Sequence, residues 1–153
     1  MKQESGSPAW GDIVSVISHT LGATNHHLVQ LMAREGLAGI VPSHGDILMQ
    51  LFAHDTMPMA ALASAIGKDP STVTALVRKL MVAGYVEKTP SATDRRVNEV
   101  RLTEQGRALK PAFDRISDEL ITALGKGLDD ADMETTYRTL KAMQDNLNDH
   151  FDS

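Results

Sequence analysis

The sequence predicts a mainly α fold with a small β component, and three observations carry that prediction. Long stretches near both ends place apolar residues at helical spacing. Between them lie shorter apolar-striped segments punctuated by Gly and Pro. Strand-like alternation is confined to two short pieces joined by a polar connection. With 153 residues the chain reads as one domain, 1–153, long enough to bury roughly two-thirds of its unfolded surface without a disulfide or metal staple. The absence of cysteine agrees, and it excludes thiol catalysis, zinc–thiolate sites and iron–sulfur clusters.

Taken in order, Ile13, Val16, Ile17, Leu21, Leu28, Leu31 and Met32 mark a long amphipathic helix that follows a polar start and reaches Glu35. Gly36 and Gly39 break it. Pro42 and Ser43 open a second helix with Ile47, Leu48, Leu51 and Phe52 inward, ended by His54, Asp55 and Thr56. An extended piece around Met57 leads to a third helix, with Leu62 and Ile66 inward and a stop at Gly67. Its start is poorly capped, because Pro58 fills the early position and no Ser, Thr or Asp follows.

The fourth helix is the best-marked element. Asp69 is an N-cap, Pro70 suits the first helical position, and Gly84 is a left-handed stop. Val73, Leu76, Val77 and Leu80 form one apolar stripe. At about 100° per residue the opposite face collects Ser71, Ala75, Arg78 and Val82, flanked by Thr72, Thr74 and Lys79. Next, Tyr85 to Lys88 alternate as a strand, and Val97, Glu99, Val100 and Leu102 form a second. The connection from Thr89 to Arg96 ends in Asp94, Arg95 and Arg96, so the pair reads as a two-stranded hairpin with a basic tip. Thr103 then caps a long helix that runs on despite Gly106, with Leu109, Phe113, Ile116, Leu120, Ile121 and Leu124 on one side, to Gly125 and Gly127. A last helix from Asp130 carries Met133, Tyr137, Leu140, Met143, Leu147 and Phe151, and its acidic start suits the helix dipole.

The formal charge of −5 argues, taken whole, against nucleic acid. Its distribution reverses that. Residues 1–67 hold 2 cations against 5 anions, residues 68–101 hold 7 against 4, and residues 102–153 hold 6 against 11. A basic middle of +3 thus lies between arms of −3 and −5.

Helix, short turn, better-capped helix and basic hairpin make a winged helix-turn-helix over residues 42–103. Such a module places the early residues of its second helix against base edges in the major groove and its wing on phosphate or in the minor groove, where Arg is favoured. A carboxylate at Asp94 belongs beside DNA if it holds the Arg96 guanidinium in one orientation. The residues Asp69-Pro70-Ser71-Thr72-Val73-Thr74-Ala75-Leu76-Val77-Arg78-Lys79-Leu80, then Gly84-Tyr85-Val86, Asp94-Arg95-Arg96 and Leu102-Thr103-Glu104-Gln105-Gly106 resemble the multiple-antibiotic-resistance regulator (MarR) family of bacterial transcription factors. The resemblance covers Pro42 to Arg107 by motif and nearly the whole chain by its flanking helices.

What the resemblance implies is a winged-helix homodimer, triangular in outline, with interlocking first, fifth and sixth helices, that represses genes until a small molecule weakens its hold on DNA. It implies that Ser71, Thr72, Thr74 and Arg78 face the major groove and Arg96 the minor groove, with Asp94, Arg95 and Lys79 alongside. The terminal stretches 10–35 and 104–151 are then dimerisation helices. Their apolar stripes, Leu140, Met143, Leu147 and Phe151 above all, have no third partner in the chain and would be covered by a two-fold copy. Two recognition helices about one DNA turn apart predict a pseudo-palindromic operator of double-stranded DNA.

Other readings are weaker. His26, His44, Met49 and Phe113 are candidates to line an effector pocket. A zinc-responsive regulator of the same fold would draw on the histidines of the first two helices, but Thr103 to Gly127 contains no histidine, which leaves such a site without half of its ligands. No metal or other cofactor is therefore expected. No phosphate loop, nucleophile elbow or His-Glu-x-x-His pattern points to an enzyme. A wing that only binds protein would have no reason to concentrate Arg. The start of the chain has no apolar segment and no run approaches membrane-spanning length, so a cytoplasmic protein is expected.

Overall fold

The computed structural model describes residues 8–37 and 39–151, the Phe151 side chain excepted. The polar start before Pro8 and the apolar role expected of Phe151 lie outside the described residues. The chain divides into two compact units, 1–117 and 118–153.

The first unit contains α1 (Ile13–Arg34), α2 (Pro42–His54), β1 (Thr56–Pro58), α3 (Met59–Ile66), α4 (Pro70–Val82), β2 (Val86–Pro90), β3 (Asn98–Leu102), α5 (Glu104–Arg107) and the first half of α6 (Lys110–Leu124). Its core is built where the apolar stripes predicted it. Ile47, Leu48 and Leu51 of α2, Leu62 of α3, Val73, Val77 and Leu80 of α4 and Val100 of β3 are all fully buried. Burial of a side chain of this kind contributes about 1.5–3 kcal/mol, so the three helices and the sheet are held as one lobe. Pro42 occupies the start of α2 and Pro70 that of α4. Gly67 and Gly84 take left-handed φ values of 64° and 84°, which lets the chain leave α3 and α4 sharply.

The second unit holds the end of α6 and α7 (Asp130–Phe151). Gly127 turns the chain with φ 80°, and the Asp129 carboxylate accepts the Asp132 N–H at 2.8 Å. No described side chain of α7 is buried, and Tyr137 and Leu147 are 66% and 61% exposed.

Three sequence expectations are corrected. The sheet has three strands, not two, in the order β1-β3-β2 and antiparallel throughout. The extended piece around Met57 pairs Thr56 with Arg101 and Pro58 with Glu99. A three-residue strand is too short to show alternation, and its partner lies over forty residues on. The hairpin connection is shorter than Thr89–Arg96, because Thr89 and Pro90 pair with Glu99 and Asn98. Pro90 is tolerated there because β2 is an edge strand and needs no donor on its outer side. The long helix after Thr103 is broken at Ala108 and Leu109. Pro111 lacks the N–H that would bond the Arg107 carbonyl and its ring crowds that carbonyl, so α5 ends at Arg107 and α6 begins anew.

Gly106 is not the weakness in a helix that its composition suggests. A Cβ there would collide with the Tyr85 carbonyl oxygen. That carbonyl accepts the Thr103 N–H at 3.1 Å, while the Thr103 hydroxyl donates to the Gly84 carbonyl at 2.6 Å and accepts the Gly106 N–H at 3.0 Å. The exit from the sheet is thus fastened to the turn that leaves α4.

Candidate nucleic-acid interface

The α4 helix presents its polar side outward. Ser71, Thr72, Ala75, Arg78, Lys79 and Val82 are exposed, Thr74 is half-buried, and Val82 reaches 85%. The helix start is more heavily bonded than a simple cap. Asp69 accepts the Thr72 N–H at 3.4 Å, the Thr72 hydroxyl at 2.8 Å and the Ser71 hydroxyl at 3.1 Å. The Thr72 and Ser71 hydroxyls hold the Asp69 carboxyl below its usual range, aided by the Thr72 amide and the charge of Lys68, against a smaller opposing effect of burial. Thr74 donates its hydroxyl to the Pro70 carbonyl at 2.9 Å. Asp69 is the participant that site prediction omitted, and an acceptor two and three residues before two hydroxyls is the sequence signal that marks it.

The wing is ordered from within. Ser91, 5% exposed, takes the N–H groups of Thr93 and Asp94 on its hydroxyl at 3.3 and 3.4 Å. Asp94 then grips Arg96 three ways. Its Oδ1 accepts the Arg96 backbone N–H at 3.1 Å and Nε at 3.0 Å, and Oδ2 accepts Nη2 at 3.1 Å. These bonds lower the Asp94 pKa and raise that of Arg96. The Arg96 side chain nevertheless remains 91% exposed, so a planar fork is held in one orientation at the surface. Arg95 is exposed beside it and, among the described residues, has no hydrogen bond or ion pair. Among the described residues Arg78 and Lys79 likewise have no hydrogen bond or ion pair.

The four pocket candidates are placed less usefully. His44 is 2% exposed, and its Nδ1 accepts the Val41 N–H at 3.0 Å, capping α2. Burial, and secondarily the charge of Lys79, push its pKa down. Phe113 is 3% exposed and meets Phe52 edge-on at 5.5 Å. His26 stands exposed on α1 against Gln30, and Met49 is 42% exposed on α2. A polar depression of about 370 Å³ lies instead at the foot of the sheet, lined by Asp55, Thr56, Glu87, Arg101, Glu104 and Arg107 among others. Its arginines are spent internally, Arg101 on Glu87 and Arg107 on Asp55 and the Leu102 carbonyl. Among the described residues no group of three or more His, Asp or Glu is placed to hold a metal ion, and no helix is long and apolar enough to cross a membrane.

Residues 40–97, which span α2 through the wing, match the sequence model of the MarR family. Over this stretch the chain is similar to the MarR family. Its members are transcriptional regulators, not enzymes. Among curated MarR-type relatives, the chain is 26% identical to the HTH-type transcriptional regulator SarZ of Staphylococcus saprophyticus over 69% of its own length and 68% of that protein. It is 34% identical to the HTH-type transcriptional repressor IacR of Pseudomonas putida, over 50% of its length and 46% of IacR. Among solved structures, a MarR transcriptional regulator from Methanosarcina mazei Go1 superposes with a TM-score of 0.77 at 26% identity, covering 88% of this chain and 94% of that one. A mutant MarR from E. coli complexed with operator DNA also gives 0.77, at 20% identity over 90% and 99%. These MarR neighbours share the winged-helix fold derived above.

Proposed function

We propose that this protein regulates transcription by binding an inverted-repeat DNA operator as a homodimer, with α4 in the major groove and the wing on the adjacent minor groove. The observation that carries this reading is the Arg96 side chain, preset by Asp94 yet 91% exposed, on a wing that follows a capped helix with an exposed Arg78. Holding the fork in place before contact removes part of the ordering cost of binding. The IacR repressor and the operator complex among the relatives favour the same activity.

Dimerisation is supported by apolar surface on the elements expected to interlock. In the first unit Trp10, Val14, Val16, Ile17 and Leu21 are exposed, and in the second so are Ile121, Leu124, Tyr137, Leu140 and Leu147. A two-fold partner covers such surface at the least cost in new contacts. A small-molecule effector acts by favouring one spacing of the two recognition helices over another. Of its candidate wall residues, His26 and Met49 are exposed enough to meet it, while His44 and Phe113 are committed to the interior.

Fluorescence anisotropy with duplexes selected from a random pool tests the reading. Affinity should fall steeply with salt. Arg96→Ala should lose roughly five- to a hundredfold in affinity with an unchanged melting curve. Equal affinity in that variant would remove the wing from the mechanism, and a monomer by light scattering at micromolar concentration would overturn the dimer.

A further inference from the structure

A serine or threonine hydroxyl has one proton to give and two lone pairs to receive. On α4 all three protons are already given. Ser71 and Thr72 donate to the Asp69 carboxylate, and Thr74 donates to the Pro70 carbonyl. The first two bonds are strengthened by the charge of their acceptor, which opposes rotation of the hydroxyls toward any other partner. What these side chains offer outward is therefore lone pairs, from Asp69, Ser71, Thr72 and Thr74.

Two consequences follow for its placement on DNA. A helix N-terminus ordinarily attracts phosphate through its free N–H groups, but here Pro70 has none, the Asp69 carboxylate accepts that of Thr72, and its negative charge repels phosphate, so base edges are preferred. In the major groove, cytosine N4 and adenine N6 are the donors, whereas guanine and thymine present acceptors at the matching edge. At about 100° per residue Ser71, Thr74, Ala75, Arg78 and Val82 fall within one outward sector and Thr72 lies at its border. Arg78 is the donor near the centre of that sector, about 10 Å along the axis from Ser71, a distance of two to three base pairs.

We propose that α4 reads its half-site with a fixed polarity, in which Ser71 and Thr74 accept hydrogen bonds from exocyclic amino groups of adenine or cytosine and Arg78 donates to a guanine two to three base pairs away. The inference rests on α4 being the recognition helix, and it names the bases that helix selects. The methyl and isopropyl groups of Ala75 and Val82, both exposed, lie between and beyond these polar contacts and suit thymine methyls.

The test uses the full chain and its selected duplex. Single base analogues that lack only the amino group, purine for adenine or pyrimidin-2-one for cytosine, are placed in turn along the half-site. Loss of one amino group should weaken the wild type about three- to tenfold at one or two positions, and Thr74→Val should be insensitive to one of them. Thr74→Ser should restore that sensitivity, which a merely structural role of the residue would not predict. Circular dichroism melting checks that the variants fold, and Ser71→Ala provides a second substitution at the same face. Indifference of the wild type to every amino deletion would overturn the polarity while leaving DNA binding intact. If no duplex is bound above random sequence, the assignment of α4 as a recognition helix falls and this inference with it.

Discussion

Replacing Gly106 with Ala sets helix propensity against packing, and the two predict opposite signs. Propensity alone favours the variant by about 1 kcal/mol. The structure places the new methyl against the Tyr85 carbonyl oxygen, 3.0 Å from the carbon of that carbonyl and 3.1 Å from Leu102 Cδ2. Two of these three neighbours are backbone, which cannot rotate away. Overpacking of this kind costs about 1–3 kcal/mol, and pushing Tyr85 aside also weakens the Thr103 N–H bond to its oxygen, worth about 1 kcal/mol. The net expectation is a loss of about 1–3 kcal/mol. For a chain of this size that lowers the melting temperature by roughly 2–12 °C. Thermal melting by circular dichroism, with urea midpoints as an independent measure, reads it directly. A melting temperature equal to or above that of the wild type would show that the sheet exit is not fastened to the α4 turn as described.

Three further outcomes are expected. His44 has a depressed pKa in the fold, so its contribution is intact above the unfolded value of about 6.5 and is lost as pH falls below it toward the folded value. The urea midpoint of the wild type should therefore drop between pH 7.5 and 5.5 by more than that of His44→Gln, and parallel curves would refute the cap at α2. Asp55 sits at φ 61°, ψ −46°, a region that strains an L residue. Since its exposed pair with Arg107 is worth little, Asp55→Gly should stabilise the chain by about 0.5–1 kcal/mol in urea titration, and destabilisation would show the ion pair to matter more than the backbone. Glu35 is held below the usual carboxylate range chiefly by its two hydrogen bonds from Arg115. Carboxyl NMR should find it titrating upward in Arg115→Ala, and an unmoved titration would exclude the contact between α1 and α6.

Local chemistry decides which parts of this structure are legible in the sequence. α4 is readable because Asp69, Pro70 and Gly84 mark its ends and its stripe repeats through two turns, so both its buried and exposed faces are predicted correctly. The Asp94 grip on Arg96 is readable because the partners lie two residues apart on a turn. β1 is not, since its pairing with β3 depends on backbone groups brought together across α3 and α4. The break between α5 and α6 is signalled by Pro111, but the apolar spacing from Leu109 to Leu124 overrides that signal. Gly106 has no local reason at all, because its cause is the carbonyl of Tyr85 on another element. His44 is read from the sequence as a pocket candidate, whereas its burial, which depends on tertiary packing that spacing does not give, commits it to the α2 start.

β1 also closes the lobe of α2, α3, α4 and the sheet into a ring. The chain passes from α2 through β1 into α3 and α4, out to β2 and the wing, and back along β3, where backbone bonds to β1 complete the circuit. A wing on a two-stranded hairpin could swing about its base. Stitched to the foot of α2 as well, it is tied to the lobe that carries α4, and on the proposed reading helix and wing move as a single tool. Spin labels on α4 and on the wing tip of one chain should then hold a constant separation with and without DNA, while labels on the two wings of a dimer change theirs.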